Sequence, residues 1–357
     1  MRIRRKIIPI HRWLGIGAAI FWLCQAVTGL VLVFHWEIDD ALLLGPRTAP
    51  DWVAIEVVTE TLAPLGSENS ISSIWTSASG SNRFDIYLNR PQGSSTIRID
   101  GDGTILREQA DGERITNGGW ISTLVAFHHN FLAGDLGGWI VGLSGILLIS
   151  NLALGIVQAW PRLGSWRRTL LPRRTGAKTV HRYAWHRAVG IWGAASALFS
   201  IGAGTLLAFE TGTAQLVGAA PIETPAAQPD GSGPVGMAAA TRAALTAFPG
   251  SQVSGIEFPS AGDAIYQIRL LQRDEPRRAY GKTRVYVNAA DGRILKTYDA
   301  TTAPLNQRFM DSLFAFHTGE FGGFLGRVAV FAIGLWLIIM IMLGLFLWLA
   351  RRSPRRT

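Results

Sequence analysis

Cysteine is almost absent: one residue, Cys24, in a chain of 357. That excludes an internal disulfide, a Cys-ligated iron–sulfur cluster and a CxxCH haem attachment, so any haem must be held non-covalently. Acidic residues are missing from three places. Residues 1–12, 161–187 and 351–357 hold 17 of the 34 Lys and Arg and none of the 25 Asp and Glu. Apart from Gln25, Asn151 and Gln158, the middles of the long apolar runs lack strongly polar groups, which argues against a transporter with charged mid-membrane sites. No glycine-rich nucleotide fingerprint occurs, so the sequence offers no nucleotide-binding loop of that kind.

What is present is long apolar sequence. Trp13–Trp36, Trp139–Trp160, Ala188–Phe209 and Phe324–Leu349 each have the roughly 20 apolar residues that cross a hydrocarbon core of about 30 Å as a helix. The first is too long for a signal-peptide core and reads as a retained anchor. The three all-basic segments then place both termini and the loop 161–187 on the cytoplasmic side. Segments 37–122 and 210–311 fall outside, where the remaining chain carries 17 basic against 25 acidic residues. A net charge of +9 therefore reflects lipid headgroups and topology, not nucleic acid. Most of the 13 tryptophans flank the spans as interfacial belts.

The chain resembles itself. Residues 11–34 laid on 186–209 give nine identities in 24 positions, among them His11/His186, Arg12/Arg187, Gly15/Gly190 and Gly29/Gly204. Thr123-Leu-Val-Ala-Phe-His128 likewise resembles Ser312-Leu-Phe-Ala-Phe-His317. The expected architecture is a four-transmembrane-helix bundle built from two repeats of one orientation. Its order is a cytoplasmic N-terminus and first helix (1–36), outer domain (37–122), second helix with lead-in (123–160) and basic loop (161–187). The third helix (188–209), second outer domain (210–311), fourth helix with lead-in (312–350) and tail (351–357) follow. Each outer unit reads as a small α+β domain: a helix (53–65; 236–248), then strands at 71–75, 84–88 and 96–99, or at 253–258, 265–271 and 283–287. Asp100-Gly-Asp-Gly and Asp291-Gly-Arg mark turns, and Gly218–Pro234 reads as a linker.

Of seven histidines, four have repeat mates. His11 and His186 begin rising helices; His128 and His317 begin descending ones. Opposed in a bundle, each pair forms a cradle for a b-type haem with axial His ligands, one per leaflet. Gly15, Gly17, Gly190, Gly193, Gly142 and Gly145 are candidates for letting a flat macrocycle approach the backbone. Arg12 and Arg187 are candidates for pairing with propionates. The alternative is that an interfacial histidine merely caps an amphipathic helix and was copied by duplication; the leaflet-matched pairing favours ligation. His35, some 36 Å along an unbroken helix from His11, is expected at the surface, with a place in a further ligand set left open. His129 is a neighbour of the site or an alternative ligand. His181 lies about 140° around a helix from His186 and cannot share its iron; a propionate or electron-entry role stays open. Arg327 either snorkels outward or meets a propionate. Glu37, Asp39 and Asp40 form an acidic step for solvation, or one that attracts a cationic ferric complex.

These residues resemble the PepSY-associated transmembrane family: His11-Arg-Trp-Leu-Gly15, Thr28-Gly29 with Phe34-x-x-Glu37, Phe127-His128-x4-Ala-Gly134-Asp-x-Gly137, His186-Arg-x-x-Gly190 and Phe316-His317. The resemblance covers nearly the whole chain, including two PepSY-like outer domains. His129 departs from the basic residue of the pattern, as Gly138 and Gly323 depart from an Arg. Some members are similar to inner-membrane ferric-siderophore reductases. The resemblance thus implies a bacterial inner-membrane protein with two non-covalent b haems, an external cytoplasmic or quinol donor, and a periplasmic ferric siderophore as substrate. The rival expectations are a PepSY-type binding or regulatory protein without redox activity, and a cytochrome serving another acceptor such as copper.

Overall fold

The computed structural model describes residues 2–64, 66–77, 82–172, 178–228, 235–260 and 262–352. Parts of the basic loop (173–177), of the linker (229–234) and of the tail (353–357) lie outside them. In chain order the first half holds α1 (Arg2–Gly17), α2 (Ala19–Leu32), α3 (His35–Leu42), α4 (Trp52–Leu62), β1 (Ser70–Thr76), β2 (Phe84–Arg90), β3 (Gly93–Ile99), β4 (Ile105–Ala110), α5 (Gly119–Asn130) and α6 (Gly134–Ala159). The short α7 (Trp166–Leu170) leads to α8 (Lys178–Ala208), α9 (Glu210–Val217), α10 (Met237–Ala247), β5 (Gln252–Glu257), β6 (Ile265–Leu271), β7 (Thr283–Asn288), β8 (Ile294–Tyr298), α11 (Leu305–Thr318) and α12 (Gly323–Arg352). The chain divides into two compact units.

The helical unit comprises residues 1–33, 124–213 and 313–357. Among the described residues three helices are long and apolar enough to cross a membrane: Gly134–Ala159, Lys178–Ala208 and Glu320–Ala350. A fourth span forms if α1 and α2 count as one, but they meet at a 61° bend. The expected straight first span is therefore broken. The break falls at Ala18, beside Gly15 and Gly17, and Gly17 faces open space with no neighbour to stiffen the turn. The matching stretch of α8 runs straight because Gly193 packs under the Trp336 ring, whose Nε1 donates to the Val189 carbonyl at 2.7 Å. Lipid-type exposure is evident on the spans, with Leu325 78% and Phe324 67% exposed.

The lead-ins are helices in their own right. α5 ends before α6 through Phe131 and Leu132 (φ 51° and 60°), and α11 ends before α12 through Gly319 (φ 82°). These left-handed residues stop a helix and re-aim the chain. His128 and His317 therefore sit on separate short helices, not on the spans that follow.

The sheet unit comprises residues 34–123 and 214–312. The two expected strand groups form one eight-stranded sheet, ordered β4-β3-β2-β1-β5-β6-β7-β8 with every neighbour antiparallel. They join where Ser73, Ile74 and Trp75 of β1 pair with Glu257, Ile256 and Gly255 of β5. Pairing these strands covers an edge that each half would otherwise expose, and Ile74 and Ile256 share one core with α4 and α10. Asp51 caps α4 by accepting from the backbone of Val53 and Ala54. The Asp100–Gly103 turn forms as expected, with Gly103 at φ 86°.

Asp39 and Asp40 of the acidic step are drawn out of solvent, while Glu37 stays exposed. Asp39, only 3% exposed, accepts from Arg98 (2.9 Å) and Arg107 (2.7 Å). Asp40 pairs with Arg83 and Arg47, both at 2.6 Å, and Glu37 with Arg278 at 2.7 Å. Burial alone would raise the Asp39 pKa; the hydrogen bonds and charges of Arg107 and Arg98 outweigh it and hold the carboxyl below its ordinary range. Each of these acids is paired with an arginine.

A pair of facing histidines at each end of the bundle

The repeat-matched histidines meet. The His11 and His186 ring centroids lie 6.3 Å apart with planes at 60°. His11 Nδ1 is 3.0 Å from the Asn151 carbonyl. A carbonyl only accepts, so Nδ1 carries the proton and Nε2 keeps its lone pair. His186 Nδ1 is buried and has no hydrogen-bond partner among the described residues.

His128 and His317 stand 6.2 Å apart with planes at 30°. His128 Nδ1 lies 2.9 Å from the Thr28 hydroxyl, which itself donates to the Cys24 carbonyl at 2.8 Å. The hydroxyl oxygen thus accepts from His128. His317 Nδ1 donates to the Ser200 carbonyl at 3.0 Å. In three of the four histidines the distal nitrogen is fixed and Nε2 is the one left for a ligand.

Each ring also lies on a glycine. A Cβ added at Gly204 would stand 2.6 Å from His317 Cε1; at Gly29, 2.9 Å from His128 Cε1; at Gly155, 3.1 Å from His11 Cε1; at Gly344, 3.7 Å from His186 Cε1. The glycines obey the repeat as the histidines do. Gly29 follows His11 by 18 residues, as Gly204 follows His186; Gly155 follows His128 by 27, as Gly344 follows His317. The two pairs are far apart. His186 and Gly204, 18 residues apart on α8, mark the two sites, a separation of about 27 Å at 1.5 Å per residue.

The fit to a metal macrocycle can be tested on these distances. An imidazole nitrogen binds a metal at about 2.0 Å and lies about 1.1 Å from its ring centroid, so two rings trans across one ion have centroids about 6.2 Å apart. Both pairs meet this spacing. Among the described residues no group of three or more His, Cys, Asp and Glu could hold a metal, which leaves neither pair the four ligands of a closed zinc site. Two facing imidazoles with no further protein ligand fit haem, whose own ring would supply four more.

The remaining expected residues fall out variously. Arg12 lies over the Trp13 ring at 5.1 Å, with Nε buried and unpartnered among the described residues. Arg187 donates from Nε to the Ala159 carbonyl (2.8 Å) and from Nη2 to that of Trp160 (3.4 Å), covering the C-terminus of α6. Arg327 is 5% exposed and donates to the Val33 carbonyl at 2.7 Å, so it does not snorkel. His129 lies beside His128, ring to ring at 6.2 Å. His181 packs on Trp185 at 6.1 Å with Nδ1 buried and unpartnered among the described residues. His35 starts α3, packs on Trp36 and belongs to the sheet unit, since the helix from His11 bends and then ends at Leu32.

The glycines singled out from sequence serve another purpose. Gly142 and Gly145 admit Phe209 and Thr205, Gly190 and Gly193 admit Met340 and Trp336, Gly15 meets Asn151, and Gly17 meets nothing. All but Gly17 are helix-packing glycines. Those that seat the histidines are Gly29, Gly155, Gly204 and Gly344, and their fixed offsets from the histidines were the signal that could have found them.

No curated protein matches the chain. Residues 8–351 match the family model for the PepSY-associated TM region. With the match spanning nearly the whole sequence, the chain belongs to the family of the PepSY-associated TM region.

Proposed function

We propose that the protein is a transmembrane haem oxidoreductase that carries electrons to a ferric complex, a ferric siderophore, and so releases Fe(II). The observation that carries this reading is the twofold occurrence of a facing histidine pair, with ring centroids 6.3 and 6.2 Å apart, close enough for both rings to reach one ion. Bound there, a b haem supplies one-electron exchange at iron. His11 with His186, and His128 with His317, would each hold one such group through Nε2. Asn151, Thr28 and Ser200 fix the ring orientations and the tautomers. Gly29, Gly155, Gly204 and Gly344 let the rings lie close to the neighbouring helix. Arg12, with its Nε unpartnered among the described residues, would serve as the propionate partner at the first pair, and Arg187 could do so only through the donors it does not spend on the Ala159 and Trp160 carbonyls.

One electron given to Fe(III) in the complex makes Fe(II), which hard oxygen ligands hold far less tightly. No protein nucleophile or general base is required. In this reading the sheet unit lies on the periplasmic side of a bacterial inner membrane and both termini in the cytoplasm, with a quinol or a cytoplasmic protein as donor; the all-basic segments 1–12, 161–187 and 351–357 support it.

Protein purified in detergent and reduced under anaerobic conditions should show a Soret band. Mixed with a ferric siderophore, it should reoxidise while an Fe(II) chelator traps iron. A purified protein without a Soret band removes the haem reading and leaves a PepSY-type binding or regulatory protein. A Soret band with no Fe(II) release removes the substrate and keeps the cytochrome.

A further inference from the structure

A single row of paired residues crosses the sheet: Arg107, Arg98, Asp85, Trp75, Gly255, Arg269, Arg284 and Tyr298 stand opposite one another from β4 to β8. In the first half the cations are answered. Asp85 and Asp39 bind Arg98, and Asp39 also binds Arg107. In the second half two arginines face each other directly, Arg269 against Arg284, an arrangement that costs stability unless an anion lies between them.

Among the described residues their surroundings supply that anion only in part. Arg269 reaches one carboxylate, Glu257, at the long distance of 3.5 Å, and its guanidinium lies 5.0 Å over the Trp75 ring. Nε of both arginines is buried without a hydrogen-bond partner among the described residues. Tyr286, on the same face of β7 as Arg284, is 0% exposed, and its hydroxyl is also unpartnered. Asp311 is committed elsewhere, accepting from the Tyr298 hydroxyl at 2.6 Å and, through its carbonyl, from Arg277. Burial and the charges of Arg284 and Arg277 lower the Arg269 pKa, as expected of crowded cations.

We propose that Arg269, Arg284 and Tyr286 form an oxyanion-binding site that takes a carboxylate group of the ferric complex. Two guanidiniums and a phenol, all donors, match a carboxylate's lone pairs. The assignment of the ligand as an iron chelate rests on the function proposed above; the oxyanion site does not. It narrows the substrate class to anionic, carboxylate-bearing ferric chelates.

The test is titration calorimetry on the full chain in lipid-free detergent and phosphate-free buffer, with citrate, redox-inert Ga(III)–citrate and inorganic phosphate as separate probes. Citrate and its gallium complex should bind, and Arg269→Gln or Arg284→Gln should weaken binding at least about tenfold. Tyr286→Phe, which keeps the ring and its packing, should weaken it several-fold. Circular dichroism of each variant confirms that the sheet persists. Absence of citrate binding, or equal binding by wild type and well-folded Tyr286→Phe and Arg284→Gln, overturns the site. Binding of phosphate alone also overturns it, in favour of a lipid headgroup. Binding of citrate by a protein that reduces no ferric chelate keeps the site and sinks the proposed function.

Discussion

The two halves of the chain agree in the helical unit and disagree in the sheet unit. Each half contributes two histidines and the two glycines that seat histidine rings, at identical offsets. The charges were not kept. Twenty-eight residues after His11 stands Asp39, which binds two arginines; the same distance after His186 stands Ala214. In the paired row, β2 contributes Asp85 where β6 contributes Arg269. The first half of the sheet is neutralised from within, the second leaves cations open. What was retained in both copies serves both ends of the bundle alike, and what diverged is suited to a ligand that meets only one half.

Several substitutions can break or sharpen this contrast. The largest effect is expected from Gly204→Leu, which drives a side chain into His317, the tightest of the four seats. It should cost the His128–His317 site most of its haem and leave the His11–His186 site loaded, as read by pyridine haemochrome assay. Next is Asp39→Asn. It strands Arg107 and half-strands Arg98, and should destabilise the first half of the sheet by about 3 kcal/mol, seen as faster hydrogen exchange in β3 and β4.

The same carboxylate sets a pH limit. Its folded pKa is lowered, so its contribution is complete above the unfolded value of about 3.9 and disappears as pH falls through the folded one. Exchange protection in β3 and β4 should therefore hold from pH 7 to about 4 and fail only below it. Loss of protection already at pH 6 contradicts the pairing. Thr28→Val removes the acceptor of His128 Nδ1 and should weaken haem retention at that site by about 10- to 100-fold. The smallest effect is expected from Gly344→Ala, where the new methyl meets His186 only at ordinary contact distance; its haem content should equal that of wild type. Equal damage from Gly344→Ala and Gly204→Ala would erase the gradation of seats.

The spans and the histidine pairs were legible because hydropathy and an internal match are properties of the sequence itself. The seating glycines were not, although Gly155 and Gly344 stand at matched offsets: which ring meets which glycine depends on how α1 packs on α6 and α8 on α12. Two of the acceptors that fix the rings are backbone carbonyls, at Asn151 and Ser200, and no side-chain pattern marks a carbonyl. β4 and β8 escaped notice because they are short edge strands with polar residues. The joining of two expected domains into one sheet lies in the β1–β5 pairing, a contact between residues some 180 positions apart.

The central claim, that each repeat-matched pair shares one iron, is tested most directly by counting haem per polypeptide in wild type, His11→Ala, His317→Ala and the double variant. The account predicts about two, one, one and none. A wild type with two haems that keeps both in either single variant would contradict it.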